Sequence, residues 1–108
     1  MTLFERTKRW LRKEYPVPLA IRVYVLDQAD EKMNGCAGWF IFVGEGKAII
    51  YIAHTNAGAM SETLIEEWAH AIRHVTPLEV DYENEAHDEH FWVTYGRITN
   101  AWRRKFLT

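Results

Sequence analysis

The 108-residue chain has one cysteine, Cys36. A lone thiol closes no internal disulfide, and no Cys-x-x-Cys pair exists to build a zinc ribbon. No apolar run approaches the roughly 20 residues of a membrane-spanning helix; the longest are Trp39–Val43 and Ala48–Ala53. The opening stretch MTLFERTKRWLRKE is charged throughout and lacks the apolar segment of a secretory signal. Neither charge sign is in large surplus: 13 Lys and Arg stand against 15 Asp and Glu, a net of −2, without the basic excess of a general nucleic-acid coat. There is no internal repeat and no Pro/Gly/Ser-rich linker. Together these absences predict a single soluble domain over residues 1–108, in a reducing compartment such as the cytoplasm, with no membrane partner and no clear sign of nucleic-acid binding.

What is present is a folded composition. Hydrophobic residues make up 48% of the chain and charged ones 26%, which excludes a disordered tail. The five Trp residues call for a packed core or an aromatic-lined cleft. Leu3, Phe4, Thr7, Trp10 and Leu11 share one helical face, and Pro16 and Pro18 stop that helix. Leu19–Leu26 reads as a strand. Asp27–Gly38 is polar and reads as a loop. Trp39–Val43 and Lys47–Ala53 flank Gly44-Glu45-Gly46, a hairpin signal, because glycine supplies the positive φ of a tight turn. From Ser61 the period changes: Leu64, Ile65, Trp68, Ala71, Ile72 and Val75 define a helical face that Pro77 ends. Thr76–Ala86 reads as an acidic loop. Phe91, Trp92, Tyr95, Ile98, Trp102 and Phe106 mark a last helix, ending in Arg103-Arg104-Lys105 as a solvated cationic terminus. The spacing assigns Trp68, Trp92, Tyr95 and Trp102 to the core. The predicted class is α+β, in the order α-β-β-β-α-α, with a small, mainly antiparallel three-stranded sheet packed on helices.

The polar face of the middle helix carries the chemistry. At about 100° per residue, Glu66, His70 and His74 form a stripe opposite Leu64, Trp68 and Ile72, with Glu67 beside it. Glu66 and His70 are four apart, so their side chains can converge on one point. That is how a helix offers two ligands to one metal ion. A third ligand is available downstream in Glu85-Ala86-His87-Asp88-Glu89-His90, from either His87 or His90. Asp88 can orient a ligand imidazole through its other ring nitrogen. His74 reads as a surface or outer group, Cys36 as an incidental thiol, and His54 as a strand end. A plain solvated helix face accounts for the charges alone.

Residues 47 to about 98 resemble the SprT-like zinc metallopeptidases, including short phage- and bacterium-encoded members. The likeness lies in the strand Lys47–Ala53 leading to a helix, in Glu62-Thr63-Leu64-Ile65-Glu66-Glu67-Trp68-Ala69-His70-Ala71-Ile72, and in His87-Asp88-Glu89-His90-Phe91-Trp92 followed by Tyr95-Gly96-Arg97-Ile98. It implies a minimal zincin-like domain in which Glu66, His70 and His87 are the metal ligands and Glu67 is the general base. The implied function is metal-dependent hydrolysis of a peptide or protein substrate, held along the strand Lys47–Ala53. Glu66 stands where the family has histidine. A carboxylate there is an acceptable zinc ligand, favours manganese or iron more than imidazole does, and leaves a catalytically inactive metal-binding or protein-interaction domain as the alternative. The aromatic content leaves room for an oligomeric contact.

Overall fold

The computed structural model describes residues 1–77 and 87–107. Its elements are α1 (Leu3–Glu14), β1 (Ala20–Leu26), a 3-10 turn (Glu31–Met33), β2 (Gly38–Gly44), β3 (Lys47–Ala53), α2 (Ala57–Val75) and α3 (Glu89–Phe106). This is the α-β-β-β-α-α order that the periodicities imply. No described helix is long and apolar enough to cross a membrane.

Each helix starts on a side-chain cap. The Thr2 hydroxyl accepts from the Glu5 N–H, Asn56 from the Ala59 N–H, and Asp88 from the Phe91 N–H, at 3.1, 2.8 and 2.9 Å. Each satisfies an amide that the first turn leaves unpaired. The Asn56 cap places the start of α2 four residues before Ser61. Its first turn, Ala57-Gly58-Ala59-Met60, has too little polar contrast to show a period. Of the loop read at Thr76–Ala86, Thr76 and Pro77 lie beyond the helix as expected, and residues 78–86 fall outside the described residues.

The sheet runs β1-β3-β2. It is mixed, where a mainly antiparallel sheet was expected: β3 pairs antiparallel with β2 but parallel with β1. The connection from Asp27 to Ala37 carries the chain past one strand position, and the hairpin turns β3 back into the gap. The most buried strand is thus the central one, with Ala48, Ile50 and Ile52 almost wholly buried. The hairpin turn places Gly44, Glu45 and Gly46 at φ 95°, 53° and 72°, and the glycines take this region without steric penalty. The 3-10 turn buries Met33 inside the loop read as polar.

Helices α1, α2 and α3 close the core through Phe4, Leu11, Leu64, Ile65, Trp68, Ile98 and Trp102. The two buried indoles are hydrogen-bonded: Trp68 Nε1–H donates to the Tyr15 carbonyl at 2.9 Å, and Trp102 Nε1–H to the Thr7 hydroxyl at 2.9 Å. Trp92 is not a core residue; it is 53% exposed. Phe91 is its neighbour in sequence and fully buried, and adjacent helical positions point about 100° apart, so the two rings cannot share the inward face. Tyr95 is half-buried.

Candidate metal centre

Glu66 and His70 project from one face of α2, a turn apart. His87 arrives from the residue before the Asp88 cap of α3. Asp88 fixes that junction twice. One carboxylate oxygen caps the Phe91 amide, and the other accepts from Arg73 Nε on α2 at 2.7 Å. Both bonds hold its carboxyl below the usual carboxylate range, the amide bond most strongly. The expected bond from Asp88 to a histidine ring is absent among the described contacts. Asp88 positions His87 through the backbone instead.

The result is a convergent donor set. His87 Nε2 lies 3.2 Å from His70 Nε2 and 4.0 Å from Glu66 Oε1. All three donor atoms fall within 4.8 Å of one another. Tetrahedral ligands about 2.1 Å from a zinc ion sit about 3.4 Å apart, so the imidazole pair already has the required separation, and the carboxylate needs to move by roughly 1 Å. His70 is stacked on Phe91, with ring centroids 4.3 Å apart, and His87 lies 4.7 Å from the same ring. One apolar side chain therefore orients both imidazoles. Burial, and then the neighbouring His87, lower the His70 pKa from 6.5 to about 4. It is neutral at pH 7, the form that ligates a metal.

Glu67 is turned inward by one residue and is 7% exposed. Its carboxylate accepts from the Phe40 N–H on the unpaired edge of β2. Burial, and then the charge of Glu66, raise its pKa from 4.5 to about 7, against the lowering effect of that bond. Gly38 makes the approach of α2 to β2 sterically feasible. A Cβ there would stand 2.5 Å from Thr63 Cγ2 and 3.0 Å from Glu67 Cγ.

Glu66, Glu67, His70 and His87 line one open cavity of about 700 Å³ with Cys36, Gly38 and Phe40. Its far wall is β2, whose outer edge pairs with no strand among the described residues. The strand expected to bind substrate, Lys47–Ala53, cannot do so: as β3 it is central, with its backbone engaged on both sides. The unpaired edge beside the cavity belongs to β2.

His74 and His90 lie outside the donor set. His74 packs on Phe42 with centroids 4.5 Å apart, and His90 is exposed on the first turn of α3. His54 is exposed after β3, and its carbonyl accepts from Gln28 Nε2. Gly38 and Phe91 were not read as site residues. A glycine opening an apolar strand was the available signal for the first, whereas Phe91 looked like any stripe residue. Cys36 was read as incidental, yet it lines the cavity. The chain matches no family model, no curated protein and no solved structure.

Proposed function

We propose that this chain is a metal-dependent hydrolase of peptide bonds, the activity implied by its resemblance to the SprT-like metallopeptidases. The observation that supports this reading is the convergence of Glu66, His70 and His87 within 4.8 Å, in a cavity that Glu67 also lines. The three side chains would hold a divalent cation, zinc first, with manganese or iron made more competitive by the Glu66 carboxylate. A bound divalent ion supplies an acidified water and polarises the scissile carbonyl. Glu67 accepts the water proton at its carboxylate and passes it to the leaving amine. The free edge of β2 aligns an extended peptide by backbone hydrogen bonds.

A specific feature favours a second reading, a non-catalytic metal-binding domain. Glu66 adds negative charge where an imidazole would leave the ion a stronger Lewis acid. One experiment separates the two. Protein purified without chelator is analysed for metal, loaded with zinc or manganese, and assayed on a broad peptide library alongside Glu67→Gln. Stoichiometric metal with hydrolysis abolished by Glu67→Gln supports the hydrolase. Metal without Glu67-dependent turnover leaves the binding domain. No metal under either loading refutes both.

A further inference from the structure

The net charge of −2 conceals a polarised molecule. Residues 1–14 and 103–105 carry eight Lys and Arg against two Glu, a local net of +6, and the rest of the chain carries −8. The two cationic segments are remote in sequence, but the fold joins them. Trp10 and Phe106 meet edge to face with centroids 5.7 Å apart, and the Trp102 indole reaches across to Thr7. Around that seam Arg6, Arg9, Lys13 and Lys105 line a cavity of about 420 Å³, floored by Trp10 and Phe106 and with Glu14 on its wall.

These four cations have no ion pair among the described residues. Arg6 and Lys105 both sit over the Phe106 ring, at 5.1 and 5.8 Å from its centroid. Four cations against the one carboxylate of Glu14 leave the groove with a net positive charge, which opposes folding and which an anionic ligand would relieve.

We infer that the groove between α1 and the end of α3 binds a single strand of nucleic acid, with its phosphates on Arg6, Arg9, Lys13 and Lys105. Three features choose this occupant. Arg6, Arg9 and Lys13 recur every three or four residues along the exposed face of α1, a row of charge that matches a linear polyanion. The cavity has a floor of half-buried rings and is roomy enough for a base, and unpaired bases stack on aromatic side chains whereas a duplex keeps its bases inside. An anionic membrane fits less well, because Phe4 and Leu11 are buried in the core and Leu3 and Trp10 are half-buried against it, so α1 presents no exposed apolar face to insert. The site lies apart from the candidate metal centre and does not depend on it.

The test is fluorescence anisotropy of a labelled oligothymidylate of about 20 nucleotides with the full-length protein and with the Arg6→Ala/Arg9→Ala/Lys13→Ala variant. Saturable binding is expected, with a log–log salt slope near −3, from four contacts at about 0.7 each. The variant should bind at least about tenfold more weakly, with a slope shallower by about 2. All three side chains are exposed, and the one contact described for them is that of Arg6 over the Phe106 ring, so its melting temperature should hold within a few degrees; if it fails to fold, Arg9→Glu alone must weaken binding. Four outcomes overturn the inference: no binding at about 50 mM salt, wild-type affinity in the variant, equal affinity for polyglutamate, or binding to phosphatidylserine vesicles but not to the oligonucleotide. Tighter binding of a duplex of the same length would overturn the single-strand assignment.

Discussion

Replacing Glu67 with Gln should make the metal-free protein more stable at pH 8. Glu67 is 7% exposed, and its pKa rises from 4.5 to about 7 on folding. The sign follows from the protons. Between those values the folded state keeps the proton that the unfolded chain has released, so stability falls as pH rises through that window and is flat above it. The shift corresponds to roughly 3 kcal/mol at pH 8, at about 1.4 kcal/mol per unit. Gln stays neutral, and its carbonyl oxygen can still accept from the Phe40 N–H. Local relaxation and water absorb part of the penalty, so the expected gain is about 1–3 kcal/mol at pH 8, shrinking to nothing near pH 4.5. His70 acts in the opposite direction. Its folded pKa is lowered from 6.5 to about 4, so its contribution grows as pH climbs across that range. In the wild type the two effects oppose each other and the profile is shallow; in Glu67→Gln only the histidine effect remains and stability should climb with pH. Urea unfolding of chelator-treated protein, followed by circular dichroism from pH 4.5 to 8, measures this. A slope of about 1–1.5 kcal/mol per molar urea turns the gain into a midpoint shift of about 0.7–3 M. Parallel wild-type and variant profiles, or a variant less stable at pH 8, would refute the claim that an ionised Glu67 is strained in the apo fold.

Gly38→Ala should destabilise by about 1–3 kcal/mol, because its Cβ meets Thr63 Cγ2 at 2.5 Å; thermal melts should show part of the loss recovered by adding Thr63→Ser, which removes that methyl. Zinc at 100 times its dissociation constant should stabilise by about 2.7 kcal/mol, and differential scanning fluorimetry should show the shift lost in His87→Ala and kept in His90→Ala. Thr7→Val should cost about 1–3 kcal/mol, because it leaves the buried Trp102 N–H without its acceptor; equal urea midpoints would show that the bond contributes nothing.

Much of the fold was legible because its causes are local. Pro16 and Pro18 end α1 by removing amide donors, wherever the helix packs. The short apolar run in Lys47–Ala53 and the glycines before it specify a strand and its turn. The 3.6-residue period of α2 put Glu66 and His70 on one face before any tertiary contact was known. Local signals failed where two segments compete for the same space. Trp92 fits an apolar stripe in the sequence, yet the fold turns Phe91 inward and leaves Trp92 in solvent. The parallel pairing of β1 with β3 has no local signature, because it depends on where the long connection lets β2 land.

Local signals specify the elements, their order, and a carboxylate and an imidazole one turn apart on a helix, since covalent neighbours and backbone periodicity suffice for these. Long-range packing brings His87, not His90, to that pair, with the Asp88–Arg73 bridge joining the two helices beside it. Packing also leaves β2 as the edge strand beside the cavity among the described residues, lets Glu67 sink against Gly38, and gathers cations from α1 and the end of α3 in one groove. Each of these depends on distances between segments far apart along the chain, which no local pattern encodes.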